Sequence, residues 1–215
     1  MSIRILLVDD HAVLRTGLTR LLDDEPDMQV VGEASNGREA QLLIDKKCPD
    51  VVITDISMPE LNGIEGVRVW RQSYPNLKVI ILSMHANREY VSRALQVGAK
   101  GYVPKHAVVD EVVQAVRVVM AGKAYLSPSI SQYVIDGYLV HASSTETFGP
   151  NLTTREREVA QLIAEGQSTR QIAEMLYVSV KTVETHRINI MRKLDTKNQA
   201  DIIKYTIKMG WITLD

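Results

Sequence analysis

The chain has 215 residues, 45% hydrophobic and 24% charged, a composition that packs a globular core and excludes a disordered or fibrous protein. Its net charge of −1 excludes a uniformly basic nucleic-acid binder, although residues 1–120 are slightly acidic and residues 151–215 slightly basic. The single cysteine, Cys48, excludes an internal disulfide and a cysteine-based metal site and is expected as a small filler near a helix end.

Residues Met1–Arg4 run straight into an apolar strand with no signal peptide, and no apolar run approaches the ~18 residues that cross a bilayer. A soluble, cytoplasmic protein is expected. The first half then alternates short apolar runs with helical periodicity. The runs are Ile3–Val8, Val30–Ala34, Val51–Thr54, Val79–Leu82 and Gly101–Val103. Several are β-branched and nearly continuous, the pattern of strands buried on both faces of a parallel sheet. Leu14, Leu18, Leu21 and Leu22 mark one helix face, and Val109, Val112, Val113, Val116 and Met120 another. Five strands alternating with five helices predict an α/β fold, a doubly wound five-stranded parallel sheet, over residues 1–121.

Residues 122–150 change character. Gly122, Pro128, Gly137, the run Ser143–Thr145 and Gly149-Pro150 predict turns and linker, with a short helix over Ser129–Leu139. Residues 151–215 predict a second, all-α domain. Thr153 with Glu156 and Ser168 with Gln171 have the capping-box spacing, and Gly166 stands where a helix stop belongs. Ser179 is placed to cap a helix Val180–Leu194, and Asn198 a helix Gln199–Met209. Residues 168–187 read as helix, tight turn, helix. Ile172, Ala173 and Leu176 form the first apolar face, Tyr177-Val178 make the turn, and Val183 packs inward.

The chemistry of the first domain gathers at strand ends. In a parallel sheet, ligands bind beyond the carboxyl ends of the strands. There stand Asp9 and Asp10, Asp55, Ser83 and Lys105. Clustered carboxylates need a cation, and an oxygen-only ligand set points to Mg²⁺. A metal and an amine beside a free carboxylate suit phosphoryl transfer onto that carboxylate, giving an aspartyl-phosphate. Taken singly, Asp10 reads equally as a helix cap, Lys105 as a solvated lysine and Ser83 as a turn residue.

Residues 1–120 resemble the receiver domain of bacterial two-component response regulators. The resemblance is carried by Leu7-Val8-Asp9-Asp10-His11, by Asp55-Ile56-Ser57-Met58-Pro59 with Gly63, by Ser83, and by Gly101-Tyr102-Val103-Pro104-Lys105. It implies that Asp55 accepts phosphate from a sensor histidine kinase. It implies that Asp9, Asp10, Asp55 and the Ser57 backbone carbonyl hold Mg²⁺, and that Lys105 grips the phosphoryl group. Ser83 and Tyr102 are implied as a switch pair, the ring rotating inward on phosphorylation. Two departures are visible: His106 follows the lysine where many receivers have proline, and position 83 is Ser rather than Thr. His85 reads either as a modulator of water access or as an exposed loop residue.

The pattern Leu152–Val159, with Ile172-Ala173 and Thr182–His186, resembles the LuxR/NarL/FixJ type of DNA-binding domain. The resemblance implies that Lys181, Glu184, Thr185 and Ile188 reach base edges of double-stranded promoter DNA. Thr182, Arg187, Arg192 and Lys193 are then expected at phosphates, which position without specifying. For Glu184 an ion pair with Lys181, and for Arg192 and Lys193 a solvated helix end, are the competing readings. Ile207, Trp211 and Ile212 are expected in the small core or at a dimer face. The implied protein is a phosphorylation-activated transcriptional regulator, a homodimer when phosphorylated. A Mg²⁺-dependent phosphatase and a phosphorylation-independent transcription factor are the alternatives.

Overall fold

Every strand of the first domain is short because the apolar runs that form it are short, and helices pack on both faces of the sheet. The computed structural model describes residues 2–84, 88–131, 152–196 and 198–212. In chain order these begin β1 (Ile3–Val8), α1 (Ala12–Asp23), β2 (Met28–Ala34), α2 (Gly37–Lys47), β3 (Val51–Asp55), α3 (Gly63–Ser73), β4 (Lys78–Ser83), α4 (Arg88–Gln96), β5 (Gly101–Pro104), α5 (Val108–Met120) and β6 (Tyr125–Leu126). The sheet is parallel throughout, in the order β2-β1-β3-β4-β5-β6. Alternate residues feed opposite cores. Leu6, Val8, Val52 and Ile81 pack with Ala40, Ile44, Val67 and Trp70, whereas Ile5, Leu7, Val51 and Ile53 pack with Leu18, Leu22, Val112 and Val116.

The strand order reverses beside β1, so a crevice opens between the carboxyl ends of β1 and β3. The backbone pairing places Asp55 and Ser83 at the ends of β3 and β4, as the sequence reading expects. One correction follows from the ladder: among the described residues the sheet has six strands rather than five. Tyr125 and Leu126, inside the expected linker, pair with Gly101 and Tyr102. Glu111 fixes them by accepting hydrogen bonds from the Tyr125 hydroxyl and the Ser127 hydroxyl, both at 2.9 Å. Of the expected helix Ser129–Leu139, residues 128–131 are helical and the remainder lies outside the described residues.

The second unit contains α6 (Thr154–Ala164), α7 (Thr169–Met175), α8 (Val180–Lys193) and α9 (Gln199–Lys208). Both capping boxes form, Thr153 with Glu156 and Ser168 with Gln171. Ser179 and Asn198 accept from the Thr182 and Asp201 amides. Each such cap is worth about 1 kcal/mol, which matters for a seven-residue helix such as α7. Gly166 ends α6 at φ +81°, as a left-handed stop requires. The core is Leu152, Val159, Leu162, Ile163, Ile172, Val183, Ile190, Ile202 and Trp211, with Trp211 edge-on to Tyr205 at 5.5 Å. The expectation of Trp211 in the core is met, and no described helix is long and apolar enough to cross a membrane.

Candidate functional site

The crevice holds the predicted acidic cluster. Asp9 follows β1 and is buried; its Oδ1 accepts from the His11 amide at 2.8 Å. Asp55 is the last residue of β3 and is 4% exposed. Its Oδ1 accepts from the Ile56 amide and its Oδ2 from Lys105 Nζ, both at 2.6 Å. Lys105 Nζ also lies 2.8 Å from Asp9 Oδ2. One amine therefore bridges the two buried carboxylates.

Burial, with a smaller push from the neighbouring Asp9 charge, raises the Asp55 carboxyl to about 6 against the pull of Lys105. Burial presses the Lys105 ammonium downward, but Asp55 and Asp9 more than offset this and hold it above its ordinary value. The neck of the site is set by Gly63. Its amide donates to the Ile56 carbonyl at 2.9 Å, and a Cβ there would stand 1.9 Å from the Asp55 carbonyl oxygen. No residue but glycine lets α3 start so close to the strand that carries Asp55.

Ligand atoms of Asp9, Asp10, His11 and Asp55 lie within 4.8 Å of one another. Asp9 Oδ2 is buried and makes no hydrogen bond, its contact with Lys105 being an ion pair outside hydrogen-bond geometry. A buried anionic oxygen of this kind, beside two further carboxylates, fits a hard divalent cation. His11 was not assigned from the sequence to the metal group, although it stands in the quoted motif. Its Nδ1 is 2.9 Å from Asp9 Oδ1 and 2.8 Å from Asp10 Oδ1. Ser57 is half-buried, and its hydroxyl is buried without a hydrogen-bond partner.

Ser83 ends β4, and Tyr102 stands on the neighbouring β5 opposite Ile81, two positions back along the ladder; both are fully buried. The two hydroxyls share a hydrogen bond, and burial, first of all, takes the phenol well above its ordinary range. The Tyr102 ring is thus already inward, buried in the core cluster that also holds Tyr90 and Val91. His85 lies outside the described residues.

The helix-turn-helix is assembled as its spacing predicts. Ile172 and Ala173 of α7 are buried, Tyr177 turns the chain at φ +52°, and Val183 and Ile190 anchor α8 inward. The opposite face of α8 presents Lys181, Glu184 and Thr185 to solvent, with Ile188 67% exposed. Among the described residues no ion pair joins Glu184 to Lys181. The hydroxyl of exposed Thr185 donates to the Lys181 carbonyl at 2.9 Å. Arg187 donates to Gln199 at 2.9 Å and Arg192 to Asn189 at 3.1 Å. Lys193 sits 2.6 Å from Glu156, so the amine expected at a DNA phosphate ties α8 to the capping box of α6. Tyr177, 95% exposed beside the recognition face, was read only as a turn residue. A large aromatic in a left-handed turn is the signal that marks it.

Comparison with known proteins agrees with both halves. Residues 5–117 match the response regulator receiver domain, and residues 150–206 match the bacterial regulatory proteins of the luxR family. The chain is 38% identical to the transcriptional regulatory protein DegU of Brevibacillus brevis, covering 98% of this chain and 95% of that protein. It is 38% identical to the oxygen regulatory protein NreC of Staphylococcus carnosus, covering 95% and 97%. Among solved structures, a LuxR-family two-component response regulator from Aurantimonas sp. SI85-9A1 superposes with a TM-score of 0.62 at 36% identity, covering 65% of this chain and 99% of that one. RcsB from Salmonella enterica serovar Typhimurium, bound to promoter P1flhDC in the presence of the phosphomimetic BeF3-, superposes at 0.61 and 26% identity, covering 95% and 98%. A receiver fused to a LuxR-type helix-turn-helix, matched along nearly its whole length by such regulators, belongs to the LuxR family of two-component response regulators, DNA-binding regulators of transcription.

Proposed function

We propose that Asp55 is the phosphoacceptor and that its phosphorylation controls promoter binding by α8. The observation that carries this reading is the bridge of Lys105 across Asp9 and Asp55 at the carboxyl ends of their strands. An Asp55 oxygen attacks the phosphorus of a sensor kinase phosphohistidine. The new O–P bond forms as the N–P bond breaks, and the imidazole leaves. Lys105 moves its charge from the carboxylate to the transferred phosphoryl oxygens. Asp9, Asp10, Asp55 and the Ser57 carbonyl are the groups that would hold Mg²⁺, which when bound neutralises charge on the phosphoryl group. The same site removes its own phosphate slowly, without the turnover of a phosphatase.

The kinase approaches over an apolar rim beside the site. Val13, Met84 and Val109 are large apolar residues left 89%, 73% and 69% exposed around a hollow that His11 and Lys105 also line. Ser83 and Tyr102 form the switch. With the ring already inward, phosphorylation acts on the Ser83 hydroxyl and holds the ring rather than swinging it. Lys181, Glu184, Thr185 and Ile188 read bases, Ile188 and the Thr185 methyl suiting thymine methyl groups. Thr182, Arg187 and Arg192 contact phosphates, with Lys193 supporting them through its pair with Glu156. The active form is a homodimer on paired half-sites, in the cytoplasm. The test is duplex selection with and without acetyl phosphate and Mg²⁺: donor-dependent enrichment of one sequence supports the reading, and equal affinity in both arms overturns it.

A further inference from the structure

The arginines of the DNA-binding unit fall into two groups. Arg155 pairs with Glu158 at 2.6 Å, Arg157 with Glu65 at 2.7 Å and Arg170 with Glu174 at 3.2 Å, so each of these carries its counter-charge with it. Arg187 and Arg192, both on α8, meet no carboxylate among the described residues. Arg192 donates to Asn189, within its own helix. Arg187 is different, because it reaches out to two other helices.

Arg187 stands one helical turn after buried Val183 and one before buried Ile190, which sets its stem at the edge of the inward face of α8. Its head is held at both terminal nitrogens. Nη2 donates to Gln199 Oε1 at 2.9 Å, and Nη1 donates more weakly to Thr169 Oγ1 at 3.4 Å. Thr169 opens α7 and Gln199 opens α9, and the caps Ser168 and Asn198 fix where those helices begin. The guanidinium is thus strung between two fixed helix starts. Both of its acceptors are neutral, so its charge is not cancelled. A guanidinium has five N–H donors; these two bonds leave three open, enough for the paired donation that a phosphate accepts. Glu184 and Ile188, its neighbours on α8, are exposed, so the held charge stands beside the face that reads bases.

We propose that Gln199 is a positioning residue for DNA binding: from the start of α9 it holds the Arg187 guanidinium so that its open N–H groups take one backbone phosphate beside the groove that α8 enters. A long side chain loses rotamer freedom when it is fixed at an interface, and that loss weakens binding. Gln199 removes much of the loss in advance, because Arg187 is already ordered before DNA arrives. A carboxylate at the same place would order the arginine equally well but would cancel its charge. The neutral amide orders it and leaves the charge for the phosphate. Such a contact fixes register on the duplex without choosing sequence. The proposal rests on the reading of Arg187 as a phosphate contact of α8.

The experiment uses the full chain with acetyl phosphate and Mg²⁺, and a labelled DNA duplex of random sequence titrated at several salt concentrations. Gln199→Met keeps the length of the side chain and removes the acceptor. It is expected to weaken binding about two- to tenfold, the worth of ordering one long side chain. Placed on Arg187→Ala, the same change is expected to cost nothing further, whereas a merely structural Gln199 would cost the same in both backgrounds. Gln199→Glu keeps an acceptor but pairs the guanidinium with a carboxylate. It is expected to lower the salt slope by about 1, as Arg187→Ala does, although no cation has been removed. Unchanged affinity in Gln199→Met, an equal loss in both backgrounds, or a wild-type slope in Gln199→Glu overturns the positioning role and leaves Arg187 its phosphate. A wild-type slope in Arg187→Ala overturns the phosphate reading instead, and the positioning role with it.

Discussion

The receiver and the DNA-binding unit handle charge in opposite ways. The receiver buries its charges: Asp9, Asp55 and Lys105 sit together in one crevice, where burial raises the Asp55 carboxyl and the two carboxylates raise the Lys105 ammonium. The DNA-binding unit spreads its reading groups along an exposed helix face and buries only Val183 and Ile190 beneath them. The difference follows from the task. A group that must hold a small, highly charged ligand needs low dielectric and fixed neighbours. Groups that must meet a long polyanion need reach and exposure. It also teaches which substitutions act all-or-none and which act by degrees.

The largest expected effect lies on the buried side. Asp55→Asn removes the only carboxylate that Lys105 and Ile56 both hold, so stimulation of DNA binding by acetyl phosphate is lost entirely, measured as the ratio of affinities with and without donor. Next come the packing residues of each half. Ile190→Ala should destabilise the DNA-binding unit by about 2–5 kcal/mol through the cavity it leaves. Gly63→Ala should destabilise the receiver by about 1–3 kcal/mol or more, since the added methyl meets the Asp55 carbonyl. Urea midpoints read both, and a neutral Gly63→Ala would show that the loop moves freely and that the crevice is not as rigid as its geometry implies.

On the exposed side effects are graded. Glu184→Ala should cost about 1–3 kcal/mol at one base position and relax selectivity there, whereas Arg187→Ala should weaken all duplexes alike and reduce the salt slope by about 1. If Arg187→Ala instead changes sequence preference, the division into reading and positioning residues is wrong. The smallest effect is a pH dependence of the capping box. Burial pushes the Glu156 carboxyl up, but Lys193 and the two Thr153 hydrogen bonds more than offset it and hold it below its usual range. Its ionised form is thus favoured by folding. The stability it contributes is present above the usual glutamate range and lost as pH falls through the depressed value. Thermal melts of wild type and Glu156→Gln should therefore converge as the solution is acidified; parallel curves would contradict the pairing.

How much of this was readable in the chain depended on distance along it. Asp9, Asp55, Ser83 and Lys105 were legible because each ends an apolar run, and parallel strands bring their ends together whatever the details. The capping boxes were legible because three-residue spacings are local. The sixth strand was not, since two residues after Gly122 carry no alternation to detect. Neither was the Lys193–Glu156 pair, whose partners stand on different helices. Gln199 was the least legible of all. A glutamine at the start of a helix reads as solvated, and only the return of α9 against α8 reveals that it holds Arg187.

The central claim is tested most directly by site-resolved mass spectrometry of the full chain after incubation with acetyl phosphate and Mg²⁺. The account predicts one added phosphoryl group on the tryptic fragment 48–68, absent from Asp55→Asn. An unmodified fragment in the wild type, or the same modification surviving in Asp55→Asn, would contradict it.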